Sequence, residues 1–154
     1  MKRIYSVIIL LFTVNSFCQS NEFSIEFNYS NPSIVFSEVQ IYIKKNENNI
    51  SVFVKSGDLA SKRHKITSEE FEHLKSKIFS IKPQDLIREN QDGRCLDSGT
   101  TTIEFGEAEY FNRFSVKYSV DCLESRDEKT PRKDFLEAAK LILELSKLKL
   151  EDLK

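Results

Sequence analysis

Residues 95–122 read CLDSGTTTIEFGEAEYFNRFSVKYSVDC, and this stretch decides the fold. Thr101, Ile103 and Phe105 alternate with Thr100, Thr102 and Glu104. Beyond Gly106-Glu107-Ala108-Glu109, Phe114, Val116, Tyr118 and Val120 alternate with Arg113, Ser115, Lys117 and Ser119. Two runs of period two around one turn predict a β-hairpin. A register symmetric about the midpoint between Ala108 and Glu109 sets Ile103 against Phe114 and Thr101 against Val116. The other face then sets Glu104 against Arg113 and Thr102 against Ser115. Apolar meets apolar and charge meets opposite charge, whereas a slip of one residue would mix the two faces. The same symmetry brings Cys95 opposite Cys122, after a bend or bulge at Leu96-Asp97-Ser98-Gly99. The expectation is a disulfide closing a loop that contributes about 3–4 kcal/mol by constraining the unfolded chain.

The chain has 154 residues with three cysteines. Lys2 and Arg3 precede an apolar run over residues 4–14, followed by Ser16-Phe17-Cys18 before Gln19. A basic start, an apolar stretch short of a bilayer span and small residues before a cut resemble a bacterial secretory leader. The sequence predicts cleavage after Cys18, giving a signal peptide over 1–18 and a single domain over 19–154. The alternative is a lipoprotein acylated on Cys18, but Phe17 departs from the small residue that precedes a lipidated cysteine. Cleavage leaves Cys95 and Cys122, an even pair in an exported chain, which is the usage of a structural disulfide. With Lys2 and Arg3 removed, the 23 basic residues become 21 against 24 acidic, a net charge of −3. No basic field invites nucleic acid, and no further apolar stretch is long enough to span a membrane.

The remainder predicts more sheet. Phe23, Ile25, Phe27 and Tyr29 alternate with Ser24, Glu26 and Asn28. Val39, Ile41 and Ile43 alternate with Gln40, Tyr42 and Lys44, and Ile50, Val52 and Val54 with Ser51, Phe53 and Lys55. Turn formers at 46–49 make the last two runs a hairpin that pairs Ile43 with Val52, Ile41 with Val54, and Tyr42 with Phe53 on the outer face. Lys62-Arg63-His64-Lys65 is the densest basic run. It reads as a solvated edge strand whose cations discourage edge-to-edge pairing, or as a dock for an anionic partner.

Thr67-Ser68-Glu69-Glu70 matches a capping box and opens a helix that buries Phe71, Leu74 and Ile78 and whose end is fixed by Pro83. Asp85-Leu86-Ile87 is expected to add one more helical turn. The last helix starts at Thr130-Pro131 and is expected to run to near residue 154, with Phe135, Ala138, Leu141, Ile142, Leu145 and Leu148 on one stripe. Leu136, Leu143 and Leu150 form a second row, buried by the first helix or, alternatively, a homodimer seam.

The fold expected is α+β: one antiparallel sheet of five or six strands with two helices on one face, in the order β-β-β-β-α-β-β-α. No glycine-rich phosphate loop, HExxH or GxSxG is present among only four glycines, and nothing calls for a cofactor. His64 and His73 with Glu69 or Glu70 form a conceivable metal set, with solvated histidine the simpler reading. The candidate contact residues are Tyr42, Phe53, Lys62, Arg63, His64 and Arg113. Size, leader and disulfide suggest an exported, non-catalytic protein of inhibitor or immunity type that binds an envelope or extracellular protein, in the periplasm or the medium. The alternatives are a small exported hydrolase using carboxylates such as Asp92, Asp97 or Glu104, and a small-ligand carrier.

Overall fold

Every second residue of the first strand is apolar, and each of those side chains is buried, so one face of the strand needs a cover. The structure, a computed structural model, describes residues 22–31, 38–47, 49–57, 61–87, 99–107, 110–116 and 133–153. The strands are β1 (Phe23–Ser30), β2 (Val39–Asn46), β3 (Asn49–Ser56), β4 (Lys62–Lys65), β5 (Thr100–Glu107) and β6 (Tyr110–Val116). They form one antiparallel sheet in the order β4-β3-β2-β1-β5-β6. Three helices accompany it: α1 (Ser68–Phe79), the short α2 (Pro83–Ile87) and α3 (Lys133–Leu145), followed by a 3₁₀ turn at Leu150–Leu153.

Both hairpin registers follow from the side-chain alternation. Ile103 pairs with Phe114, Thr101 with Val116 and Glu104 with Arg113. Ile43 pairs with Val52, and Tyr42 with Phe53. The turns are tighter than expected. Pairing reaches Glu107↔Tyr110, so Gly106 and Glu107 belong to β5. Likewise Asn46 pairs with Asn49, and Glu47 takes the positive φ of 46° that a two-residue hairpin turn favours. A Cβ on Gly106 would lie 1.8 Å from the Tyr110 carbonyl oxygen, so only glycine lets the backbones approach that closely.

Phe27, Ile25, Ile41, Ile43, Val52 and Ile103 form the floor of the core. From above, α1 contributes Phe71, Leu74 and Ile78, spaced to share one helical face. Phe71 meets Phe23 edge-on at 5.9 Å between ring centroids, and Phe79 meets Phe105 at 5.3 Å. The capping box holds: the Thr67 amide donates to Glu70 Oε2 at 2.7 Å, and the Glu70 amide donates to Thr67 Oγ1 at 3.2 Å. Beside α1, α3 buries Phe135, Ala138, Ala139, Ile142, Leu143 and Leu145 in the same cluster. The helices are bridged by Lys77 Nζ and Glu137 Oε2 at 2.6 Å.

Three expectations are corrected. Pro83 does not close α1, which ends at the Ser80 cap; as first residue of α2 it sits where a missing N–H costs nothing. The last helix does not run to the chain end but stops at Leu145. There the Leu148 amide donates to the Leu143 carbonyl and the Lys147 amide to the Glu144 carbonyl, both at 2.9 Å, with Lys147 at φ 58°. That is a Schellman closure carried by a lysine where glycine is usual. Leu148 is therefore not part of the helical stripe. The leader over 1–18, Cys18, Cys95 and Cys122, the strand residues 117–120 and the helix start at Thr130-Pro131 lie outside the described residues.

Candidate functional site

All the apolar floor lies on one side of the sheet, which leaves the other side to polar and aromatic residues. The pairings align one row across all six strands: Arg63, Phe53, Tyr42, Glu26, Glu104 and Arg113. Their side chains share the outer face: on β1, β2, β3, β5 and β6 each stands one position from a side chain packed in or against the core, and Arg63 takes the face of Phe53, its cross-strand partner. Each is half-buried or exposed.

Tyr42 and Phe53 form a tilted ring pair at 6.2 Å, and Phe53 keeps 37% of its surface open. The Tyr42 hydroxyl lies 3.4 Å from Gln40 Oε1, whose amide in turn donates to Glu38 Oε1 at 2.6 Å. Partial burial, and after it the carboxylate of Glu26, push the Tyr42 hydroxyl above its ordinary pKa, so it remains a neutral donor. Glu26 stands directly opposite Glu104, a pairing of like charges that costs stability on its own. Two neighbours offset it. Arg113 Nε donates to Glu104 Oε1 at 2.8 Å and its Nη2 lies 2.6 Å from the same oxygen, while Asn28 Nδ2 donates to Glu26 Oε1 at 2.8 Å. The row can therefore stack, donate and accept across a wide strip.

The basic run divides by parity. Arg63 and Lys65 lie on the outer face, opposite Phe53 and Ser51; Lys62 and His64 lie on the inner side, opposite Val54 and Val52. His64 is not a free surface cation. Its Nε2 is 2.6 Å from the Leu145 carbonyl, at the end of α3, so the imidazole is the donor. Lys62, Arg63 and Lys65 are exposed, and no carboxylate among the described residues pairs with them. The six contact candidates are thus not one patch. Tyr42, Phe53, Arg63 and Arg113 share the outer row, with Arg113 on the opposite edge strand from Arg63, roughly 24 Å away at ordinary strand spacing. Lys62 borders that face from below, and His64 belongs to the packing beneath.

His73 is exposed on α1, and among the described residues no group of three or more His, Cys, Asp or Glu is placed to hold a metal ion. Asp92 and Asp97 lie outside the described residues; Glu104 is committed to Arg113. In the leucine row Leu143 is buried in the core and Leu136 is partly buried against it, while the Leu150 side chain is not among those described. None of the described helices is long and apolar enough to cross a membrane. Glu26 and Asn28 were not singled out by sequence reasoning. Alternation gave their face, but only the β1–β5 pairing brings Glu26 beside Glu104.

An antiparallel sheet of six strands with its helices against one face defines the class of the protein as α+β. The sequence matches no protein-family model and no curated protein.

Proposed function

We propose that this chain is an exported, non-catalytic binding module, inhibitor- or immunity-like, that docks a protein of the cell envelope or the medium on the outer face of its sheet. The observation that carries the reading is the pair of half-buried Tyr42 and exposed Phe53 on the face opposite the core, in a row that ends in an arginine on each edge strand. Aromatic and arginine side chains are what the energetic centres of protein interfaces are made of, and the helices are already engaged with the other face. A leader cleaved after Cys18 would deliver the chain to an oxidising compartment, where Cys95 and Cys122 would pair.

The test is a crosslinked pull-down of the tagged protein from its own cell envelope and medium, with partners identified by mass spectrometry. One stoichiometric partner, lost when Tyr42→Ser and Phe53→Ser are combined in a folded protein, supports the reading. Recovery of the protein alone, or retention of the partner by that variant, overturns it.

A further inference from the structure

The free edge of β4 has a definite hydrogen-bonding phase. The Ile66 amide donates to the Ile50 carbonyl at 3.3 Å, which makes that couple a hydrogen-bonded pair in the β3–β4 ladder. Antiparallel pairs alternate, so His64 and Lys62 also turn their backbone groups toward β3. Arg63 and Lys65 consequently present their own N–H and C=O groups away from the sheet, at its edge in the described structure. These are also the two residues of β4 whose side chains lie on the outer face, exposed and without an anion among the described residues.

Backbone and side chain of the same two residues therefore specify one occupant. A strand added beside β4 would hydrogen-bond Arg63 and Lys65, and its residues opposite them would lie next to a guanidinium and an ammonium. A second copy of β4 would bring cations against cations, which like-charge pairing disfavours. An acidic strand gains where a basic one loses. We propose that an extended acidic segment of the protein partner adds to this edge as a seventh strand, with carboxylates at the alternate positions facing Arg63 and Lys65. It is β-augmentation, in which main-chain bonds supply affinity and alternate side chains supply selection. The inference rests on the protein-binding reading above and extends its surface past Phe53, which pairs with Arg63.

The probe is a dye-labelled peptide of about eight residues alternating glutamate and threonine, a common strand length, titrated by fluorescence anisotropy into the purified protein at low salt. The expected result is saturable binding that weakens at least tenfold in Arg63→Glu/Lys65→Glu. The charge control Lys82→Glu/Lys133→Glu, with Lys82 just past the end of α1 that packs on β5 and Lys133 at the end of α3 away from Leu145, should change it less than twofold. Slower hydrogen exchange is expected at the Arg63 and Lys65 amides and not at His64. A peptide N-methylated at alternate residues should bind at least tenfold more weakly. No binding, equal binding of the N-methylated peptide, or equally tight binding of dextran sulfate overturns the proposal. In the pull-down, a partner retained undiminished by Arg63→Glu/Lys65→Glu overturns the edge strand while leaving the outer-face reading intact.

Discussion

The imidazole Nε2–H of His64 donates to the carbonyl of Leu145 at 2.6 Å, tying the edge strand to the end of the last helix. The bond satisfies one of the carbonyls that a helix leaves unpaired in its final turn. It also fixes a four-residue strand that has a neighbour on one side only among the described residues.

Removing that donor leaves a half-buried carbonyl without its partner. His64→Ala is expected to lower stability by about 1–2 kcal/mol in urea unfolding. Hydrogen exchange at the β4 amides should quicken before the rest of the sheet is affected. Unchanged exchange along β4 would show that the strand is held by β3 alone.

Glu70 supplies a dependence on acidity. The Thr67 amide, and after it the Thr67 hydroxyl, hold its carboxyl below the ordinary value of 4.5. A folded-state value below the unfolded one stabilises the protein above pH 4.5, and that contribution disappears as the pH falls through the folded value. Glu72, bonded to Lys45, and Glu137, bonded to Lys77, have the same sign. Stability measured from pH 6 down to pH 3 should therefore decline, and less steeply in Glu70→Gln, which keeps the cap acceptor without the titration. Separately, Thr67→Ala should cost about 1 kcal/mol by loss of the N-cap.

Lys147 closes α3 at φ 58°, a conformation that penalises any residue with a Cβ. Lys147→Gly is expected to raise stability by about 1 kcal/mol in thermal or urea unfolding. A loss instead would mean that the lysine side chain contributes more than its backbone costs.

At Gly106 the opposite sign is expected. A methyl group there meets the Tyr110 carbonyl, which belongs to the paired strand and has no room to move without opening the ladder. Gly106→Ala should destabilise by about 1–3 kcal/mol, with the Phe105 and Asn112 amides, which face each other across the ladder, losing protection first. Folding at full stability would show that the hairpin can widen at no cost.

The two hairpins were legible because each opposes like with like on both faces, so alternation alone set the register. The neighbour of β1 was not legible. Its pattern fixes a buried face, but pairing with β5 sets Glu26 against Glu104, a match the same rule of opposed charges would reject. Arg113 and Asn28, each from a different strand position, make it acceptable. The end of α3 escaped for a related reason. Leucines continue at helical spacing through Leu148 and Leu150, and the residue in the left-handed turn is a lysine, so neither periodicity nor a glycine marks the stop. At the candidate site, alternation found Tyr42 and Phe53, and the density of basic residues found Arg63. It did not separate His64, which residue type grouped with its charged neighbours and which the structure ties to Leu145.

The sheet order also sets a sequence of events for a growing chain. β1 through β4 pair with near neighbours, and so do β5 and β6, but β1 must wait for β5 to cover its second edge. Until both helices and β5 have been made, Phe23, Ile25, Phe27 and Tyr29 face water beside an unpaired row of backbone groups. Long-range strand pairing is slow, and an uncovered apolar edge invites other chains. The interval from the synthesis of β1 to that of α3 is therefore the one in which the apolar face of the first strand lies open to other chains.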